Sequence, residues 1–223
     1  GKYVDAVRAR IIGGISKTYR LRAIDGQYKP EEVKDDGSTL YADATLTNIS
    51  TTQKEEIVNK EKNTKRIVYK AQISVTVRLK HAATDKVVNS STFNVSDYDC
   101  SWVETSEGAI TNALERLQKK IRDHYDKMYP LRAAIIEGAS EKKDKQKEVY
   151  IDLGSADRAF VGMHMAVCIQ KTIAGKDASK EIGKIKITEI LGDEISLCKV
   201  QKGGAQIKEA LDKGENVVVV SLE

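Results

Sequence analysis

Hydrophobic and polar positions alternate along this chain with two distinct periods. Val4, Val7, Ile11 and Ile15 recur at helical spacing with Lys, Arg and Asp between them, which predicts an amphipathic helix over about residues 2–18. Gly13-Gly14 lies inside that helix. Each glycine costs about 1 kcal/mol relative to alanine in a helix interior, and a close backbone contact would account for both. Arg20–Asp25 reads as a short strand ended by Asp25-Gly26, and residues 26–38 read as loop. The period then changes to two. Leu40, Ala42, Ala44 and Leu46 alternate with Tyr41, Asp43, Thr45 and Thr47, the pattern of a half-buried strand. Residues 50–65 are polar and charged and read as a mobile excursion.

The strongest signal follows. Ile67, Tyr69, Ala71, Ile73, Val75, Val77 and Leu79 occupy one face of a strand; Val68, Lys70, Gln72, Ser74, Thr76, Arg78 and Lys80 occupy the other. Such alternation predicts a long antiparallel strand with one wet face. A turn at about Ala82–Lys86 leads into a strand over 87–99, with Val87, Phe93 and Val95 on one face. Ser106 fits an N-cap, with Glu107 favourably placed against the helix dipole. Ile110, Ala113, Leu114, Leu117, Ile121, Tyr125 and Met128 then mark a long helix, which Tyr129-Pro130 stops because the residue before proline disfavours helical geometry. Residues 1–129 therefore read as an α+β module of order α-β-β-β-β-α: an antiparallel sheet with two helices on one face, burying both apolar stripes.

After Pro130 the texture changes. Short apolar runs at 131–136, 148–153, 164–170, 182–191, 194–200 and 216–222 are separated by Gly, Asp, Asn and Lys. Six short strands so punctuated predict a small β-barrel domain over 130–223, with a helical turn at about 205–212.

Charge narrows the functions available. The chain of 223 residues holds 37 Lys+Arg and 33 Asp+Glu, a net of +4. The surplus sits in residues 1–129, with 22 basic and 18 acidic side chains, while residues 130–223 hold 15 of each. That is no footprint for nucleic acid. The local run Lys142, Lys143, Lys145 and Lys147 is interrupted by Glu141, Asp144 and Glu148 and reads as a solvated loop. No run of about 18 apolar residues is present, so no transmembrane segment is predicted. Cys100, Cys168 and Cys198 fit no metal-ligand spacing, and Cys168 and Cys198 read as core residues. In an oxidising compartment one pair could form a disulfide; sequence does not say which. Gly1 runs straight into a helix pattern, as after tag removal, so a natural chain with an export signal upstream is expected.

Candidate chemistry is sparse. His81 is placed at a hairpin turn, His124 on the outer face of the long helix and His164 at a strand start; none pairs with another at metal-ligand spacing. Asp97-Tyr98-Asp99-Cys100 and Asp35-Asp36-Gly37-Ser38 read as turns rather than cation loops. No nucleophile elbow, phosphate loop or dinucleotide fingerprint occurs. Tyr98 and Trp102 precede the long helix. Exposed, they would anchor a partner; buried, they would fill the junction of helix and sheet, which their size favours. The reading is non-enzymatic, with no cofactor and no metal site.

Two segments carry a resemblance. Val149-Tyr-Ile-Asp-Leu-Gly-Ser-Ala-Asp-Arg-Ala-Phe-Val-Gly-Met163 resembles the strand-turn-strand signature of the C-terminal domain of flagellar assembly protein T. Ile182-Gly183-Lys184-Ile185 matches a later strand opening of that family, and Leu211-Asp-Lys-Gly214-Glu-Asn-Val217 its closing element. Gly154 and Gly162 would supply turn conformations; Arg158 stands where the family often has a second glycine. Residues 2–128 resemble the curli-secretion channel lipoprotein (CsgG-like) superfamily, through the first helix and its ending Tyr-Arg-Leu-Arg-Ala-Ile-Asp, the long strand with its return, and the final helix. That family's opening strand is absent here, and no pore-forming insertion is evident.

The resemblance implies a bacterial cell-envelope accessory protein, exported and in many relatives lipid-anchored, on the periplasmic face or at the outer membrane. Its partners would be other envelope proteins or a second copy of itself, not nucleic acid. Lys70, Gln72, Arg78 and Trp102, with Ser74, Thr76 and the 50–65 segment, are the candidate binding residues. The alternatives are a cytoplasmic nucleic-acid- or small-molecule-binding protein and an unrecognised hydrolase. The barrel half, with two aromatics and no net charge, speaks against nucleic acid.

Overall fold

In the computed structural model, residues 2–23, 26, 39–59 and 61–222 are described. They divide into two compact units: residues up to Lys17 with Arg22–His124, and Thr18–Leu21 with residues from Tyr125 onward. The architecture is α+β, with two antiparallel sheets.

The first unit opens on helix α1, Val4–Ser16, whose Val7, Ile11 and Ile15 are buried as the periodicity predicts. Strands β1 (Leu40–Asn59), β2 (Thr64–His81) and β3 (Val87–Val95) form a sheet in that order. Helix α2, Ser106–Met128, follows. Ala71, Ile73, Val75, Val77 and Leu79 of β2 are buried, with Phe93 and Val95 of β3. Ala109, Ile110, Ala113, Leu114, Leu117, Ile121 and Tyr125 form the buried stripe of α2.

Four expectations change here. Residues 20–23 are not a strand, so the sheet has three strands, not four; Asp25 and the turn at 35–38 lie outside the described residues. Within the expected 50–65 excursion, residues 50–59 continue β1 and residues 64 and 65 begin β2. Cross-strand charge supplies what apolar patterning lacks there: Lys65 pairs with Glu55 at 2.8 Å and Arg66 with Glu56 at 2.7 Å. Alternation in β2 shifts phase at its start, so that Val68 is buried and Ile67 is 47% exposed. The cap of α2 is Thr105, not Ser106: its Oγ1 accepts the Gly108 N–H at 3.0 Å.

Of the paired glycines in α1, only one is sterically required. A Cβ on Gly14 would stand 2.9 Å from Ile121 Cγ2 and 3.0 Å from the Gln118 carbonyl oxygen, so α1 and α2 cross at backbone distance there. A Cβ on Gly13 would meet only the Gln118 side chain at 3.4 Å.

The second unit is a closed barrel. Its strands are β4 (Arg132–Glu141), β5 (Gln146–Ile151), β6 (His164–Ile173), β7 (Lys176–Ile190), β8 (Ser196–Lys202) and β9 (Val217–Ser221). They close in the order β4-β5-β8-β7-β6-β9. Val149, Ile151, Met165, Val167, Ile185, Ile187, Cys198 and Val219 fill the interior. The expected helical turn is a nine-residue helix, α3 (Gly204–Asp212), whose Ile207 and Ala210 join that core. The Ile182-Gly183 pair lies within β7 rather than opening it.

In the β5–β6 connection the two glycines differ. Gly162 has φ +103°, a true left-handed requirement, whereas Gly154 is extended at φ −136°. Gly154 is needed for space: a Cβ there would lie 2.3 Å from the Asp193 backbone. Arg158 adopts the left-handed region itself, at φ 62°, and donates from Nη1 to the Thr18 carbonyl at 2.8 Å. Thr18–Leu21 thus packs with the barrel unit, where the Tyr19 N–H also reaches Asp126 at 2.7 Å.

Gly14→Ala is expected to destabilise the protein by about 1–3 kcal/mol through overpacking. Gly13→Ala should be neutral or stabilising by up to about 1 kcal/mol. Urea unfolding of both variants checks the pair; equal losses would refute the crossing contact.

Candidate functional site

The polar face of β2 becomes a site where the chain re-enters the sheet after β3. Val95 pairs with Ile73, and β3 ends. Residues 97–99 form a short 3-10 turn, and Val103 then rejoins the same edge of β2 opposite Tyr69. Two backbone hydrogen bonds of 2.7 and 3.0 Å fix that bridge. Successive side chains of an extended segment point to opposite faces. Val103 therefore shares a face with Tyr69, and Trp102 falls on the face of Val68 and Lys70. The indole is half-buried there, with Lys54 Nζ 4.4 Å and Lys70 Nζ 5.1 Å from its centroid. Lys54 lies opposite Val68 on β1, and Thr52 opposite Lys70. Such ammonium–indole contacts contribute about 0.5–1 kcal/mol at exposed sites.

The turn before Trp102 is held by Asp99. Its Oδ2 accepts the Ser96 N–H at 2.8 Å, the Ser96 hydroxyl at 2.9 Å and Lys120 Nζ at 2.9 Å. The Ser96 backbone bond, then Lys120, holds the Asp99 carboxyl below its ordinary range. Asp99 thus closes a capping box with Ser96, and no group of three or more His, Cys, Asp or Glu that could hold a metal occurs among the described residues. Tyr98 is 94% exposed, against the expectation that it fills the helix–sheet junction. The turn aims its ring outward, with the backbone on either side held by the Asp99 carboxylate on Ser96 and by Lys70 on the Asp97 carbonyl. Glu104, just past Trp102, pairs with Arg66 at 2.7 Å and so ties this connection to the far part of β2.

The four residues predicted from sequence are only partly brought together. Lys70 and Trp102 meet, and Lys70 Nζ also donates to the Asp97 carbonyl at 2.7 Å. Gln72 is the next residue along the same face, opposite Ser50. Arg78 lies toward the other end of β2, 4.0 Å from Asp43. Between them, Ser74 donates to Asn94 at 2.5 Å, and Thr76 and Thr92 share a 2.9 Å hydrogen bond. That middle stretch is a self-satisfied polar ladder. Sequence reasoning reached Lys54 only as part of the 50–65 segment, which reads as an excursion, and favoured burial for Tyr98. Extending the β1 pairing register beyond Ser50 would have found Lys54.

Other candidates resolve structurally. His124 faces β3 rather than outward: Nε2 lies 2.9 Å from the Ser91 hydroxyl, its ring is edge-on to Phe93, and burial lowers its pKa. His164 begins β6 and bonds Gln201 at 3.0 Å. His81 ends β2, and its Nδ1 has no hydrogen-bond partner; it lines a depression of about 380 Å³ with Thr84, Lys86, Val87 and Val88. All three cysteines are free and buried, Cys100 in the first unit and the others in the barrel strands. Burial pushes the Cys198 thiol up to about 12. No helix among the described residues is long and apolar enough to cross a membrane. Neither a known protein family nor a curated protein matches the chain.

Asp99→Asn should cost about 1 kcal/mol at pH 7, because it removes the charge from the acceptor that Ser96 and Lys120 share. Because the folded carboxyl is more acidic than its ordinary 3.8, its contribution is present above that value and fades as pH falls below it. Denaturant unfolding at pH 7 and pH 3 checks this: the gap between wild type and variant must shrink at pH 3.

Proposed function

We propose that this chain is a non-enzymatic accessory protein of the bacterial cell envelope that works by binding other proteins. Its first unit serves as a module like that of the curli-secretion channel lipoproteins, with both helices covering the Ile73–Val77 face of the sheet. Its second unit serves as a barrel like the C-terminal domain of flagellar assembly protein T. The observation that carries the reading is the exposed sheet face around Trp102. An indole flanked by Lys54 and Lys70, with a nearly fully exposed Tyr98 on the same connection, has the residue types that dominate protein-binding hot spots. Tyrosine and tryptophan bring large contact area with few rotors to immobilise. A burial role for Tyr98 would not leave its ring in solvent.

Placing the chain in the envelope rests on the sequence resemblance alone. The chain isolated from its own cells should fractionate with the envelope and carry, by intact mass, an acylated cysteine upstream of Lys2. A cytoplasmic protein with an initiator methionine would overturn the placement. Photocrosslinking from position 98 in those cells should trap a protein partner. Trp102→Ala should reduce that adduct at least tenfold while the protein stays folded, losing about 1–2 kcal/mol with the two ammonium–indole contacts. Undiminished crosslinking would remove Trp102 from the interface.

A further inference from the structure

The outer wall of the barrel carries like charges placed directly opposite each other. Lys186 of β7 pairs in register with Lys199 of β8, and Lys184 pairs with Lys202 across the bulge at Gln201. Ile185, Ile187 and Cys198 between them are fully buried in the barrel interior, so alternation turns Lys184, Lys186 and Lys199 outward. Lys202, past the bulge, is exposed like Lys199, and Lys184 and Lys186 are half-exposed. None is in an ion pair among the described residues, although lysines elsewhere on this chain repeatedly are, as at Lys120, Lys171 and Lys208. Glu148 is the acidic residue in the same row, opposite Lys199, and its carboxylate accepts instead from the Ser140 hydroxyl at 2.8 Å. His164, opposite Lys186, and Gln201 hydrogen-bond to each other beside the lysines.

Like charges directly across a strand pair destabilise a sheet. Two adjacent lysine pairs on neighbouring strands therefore work against the fold. Their spacing fits one kind of partner. Lys184 and Lys186 are two residues apart on one strand, which places their stems about 6.6 Å apart, the repeat of alternate side chains in any extended chain. The adjacent strand, about 4.8 Å away, offers a parallel row. We propose that this wall of β7 and β8 is a docking surface for an extended acidic protein segment bearing Asp or Glu at alternate positions. The carboxylates of such a segment fall in step with the ammonium groups. The row holds lysines and no arginine, so it reads carboxylates as point charges rather than gripping a single anion in a fork. Tyr150 is the aromatic on the neighbouring outward row of β5, opposite Leu197, so the wall lacks the interleaved aromatic platforms that hold single-stranded nucleic acid. The proposal is independent of the Trp102 surface, which lies on the other unit.

The test uses the full chain and labelled peptides by fluorescence anisotropy at low and physiological salt. A twelve-residue Glu-Thr alternating peptide should bind at least fivefold more tightly than a peptide of the same composition with its six glutamates contiguous. Lys186→Glu with Lys199→Glu should abolish binding. Lys186→Thr should weaken binding several-fold while raising the unfolding midpoint, because it removes a like-charge pair and leaves Glu148 opposite Lys199. That opposed shift separates a binding role from a structural one. Equal affinity for both peptides, tighter binding of a dT12 oligonucleotide or of phosphatidylglycerol vesicles, or unchanged binding by the double variant would each overturn the proposal.

Discussion

Closure of the barrel rests on one short strand pairing. β9 bonds β4 at Arg132↔Val220, Ala133↔Val219 and Ala134↔Val218, and bonds β6 along its other edge. Ser221 extends the seam: its N–H donates to the Leu131 carbonyl and its hydroxyl accepts the Leu131 N–H, both at 3.0 Å. Without β9, the edges of β4 and β6 would both be open to solvent or to other chains. With it, the strands form a continuous cylinder, and barrels are the one all-β arrangement that removes edges altogether. Everything inside follows from that geometry. Val219 can be fully buried only because its strand is the last stave, and α3 contributes Ile207 to a core that is already enclosed.

The first unit solves the same problem differently. Its sheet stays open, and β1 is an edge strand of 20 residues whose charged distal half is mostly exposed. Opposed charges hold β1 and β2 together beyond the reach of β3: Glu55 with Lys65, Glu56 with Arg66. Exposed pairs of this kind are worth little one by one. The Glu104–Arg66 contact and the Tyr69–Val103 bridge add tertiary anchorage from the chain returning toward α2. That return also places Trp102 on the polar face, so the candidate binding surface is a by-product of how the sheet is finished. A glutamate, a valine and a capping aspartate outside the surface decide where its indole points.

What the sequence made legible were elements whose burial is one-sided and regular. The α1 and α2 stripes, the Ala71–Leu79 alternation and all six barrel strands are of this kind. Each has apolar residues at the period its structure imposes. What it hid depends on partners distant in sequence. The strand at 50–59 buries almost nothing, so no hydrophobic alternation marks it, and its identity rests on pairing with residues 64–72. Val68 is buried although its face is otherwise polar, in the stretch where the chain returns through Trp102. Gly154 looked like a turn residue and is a spacing residue, because the Asp193 backbone arrives from 39 positions downstream. Arg158 shows the converse. A left-handed residue was needed where the resembled family has glycine, and arginine takes that conformation while its guanidinium bonds the Thr18 carbonyl.

Net charge was the least informative number, for a reason the barrel makes explicit. Its 15 basic and 15 acidic residues cancel in a sum, and a sum carries no positions. In space some pair, as Lys171 does with Glu215 and Lys208 with Glu141, and others lie apart. Asp152, Asp157, Asp193 and Glu194 gather on the connections after β5 and before β8, where the Ser155 hydroxyl bonds Asp193 and the Ser155 and Ala156 N–H groups reach the opposite loop's carbonyls. Lys184, Lys186, Lys199 and Lys202 line a strand pair instead. A sequence window cannot detect that arrangement, because Lys186 and Lys199 are 13 residues apart and become neighbours only through antiparallel register. The balanced composition argued against a nucleic-acid footprint. It could not show that a neutral domain can bring four lysines together on one strand pair. The register of two strands, not the count of lysines, creates that grouping.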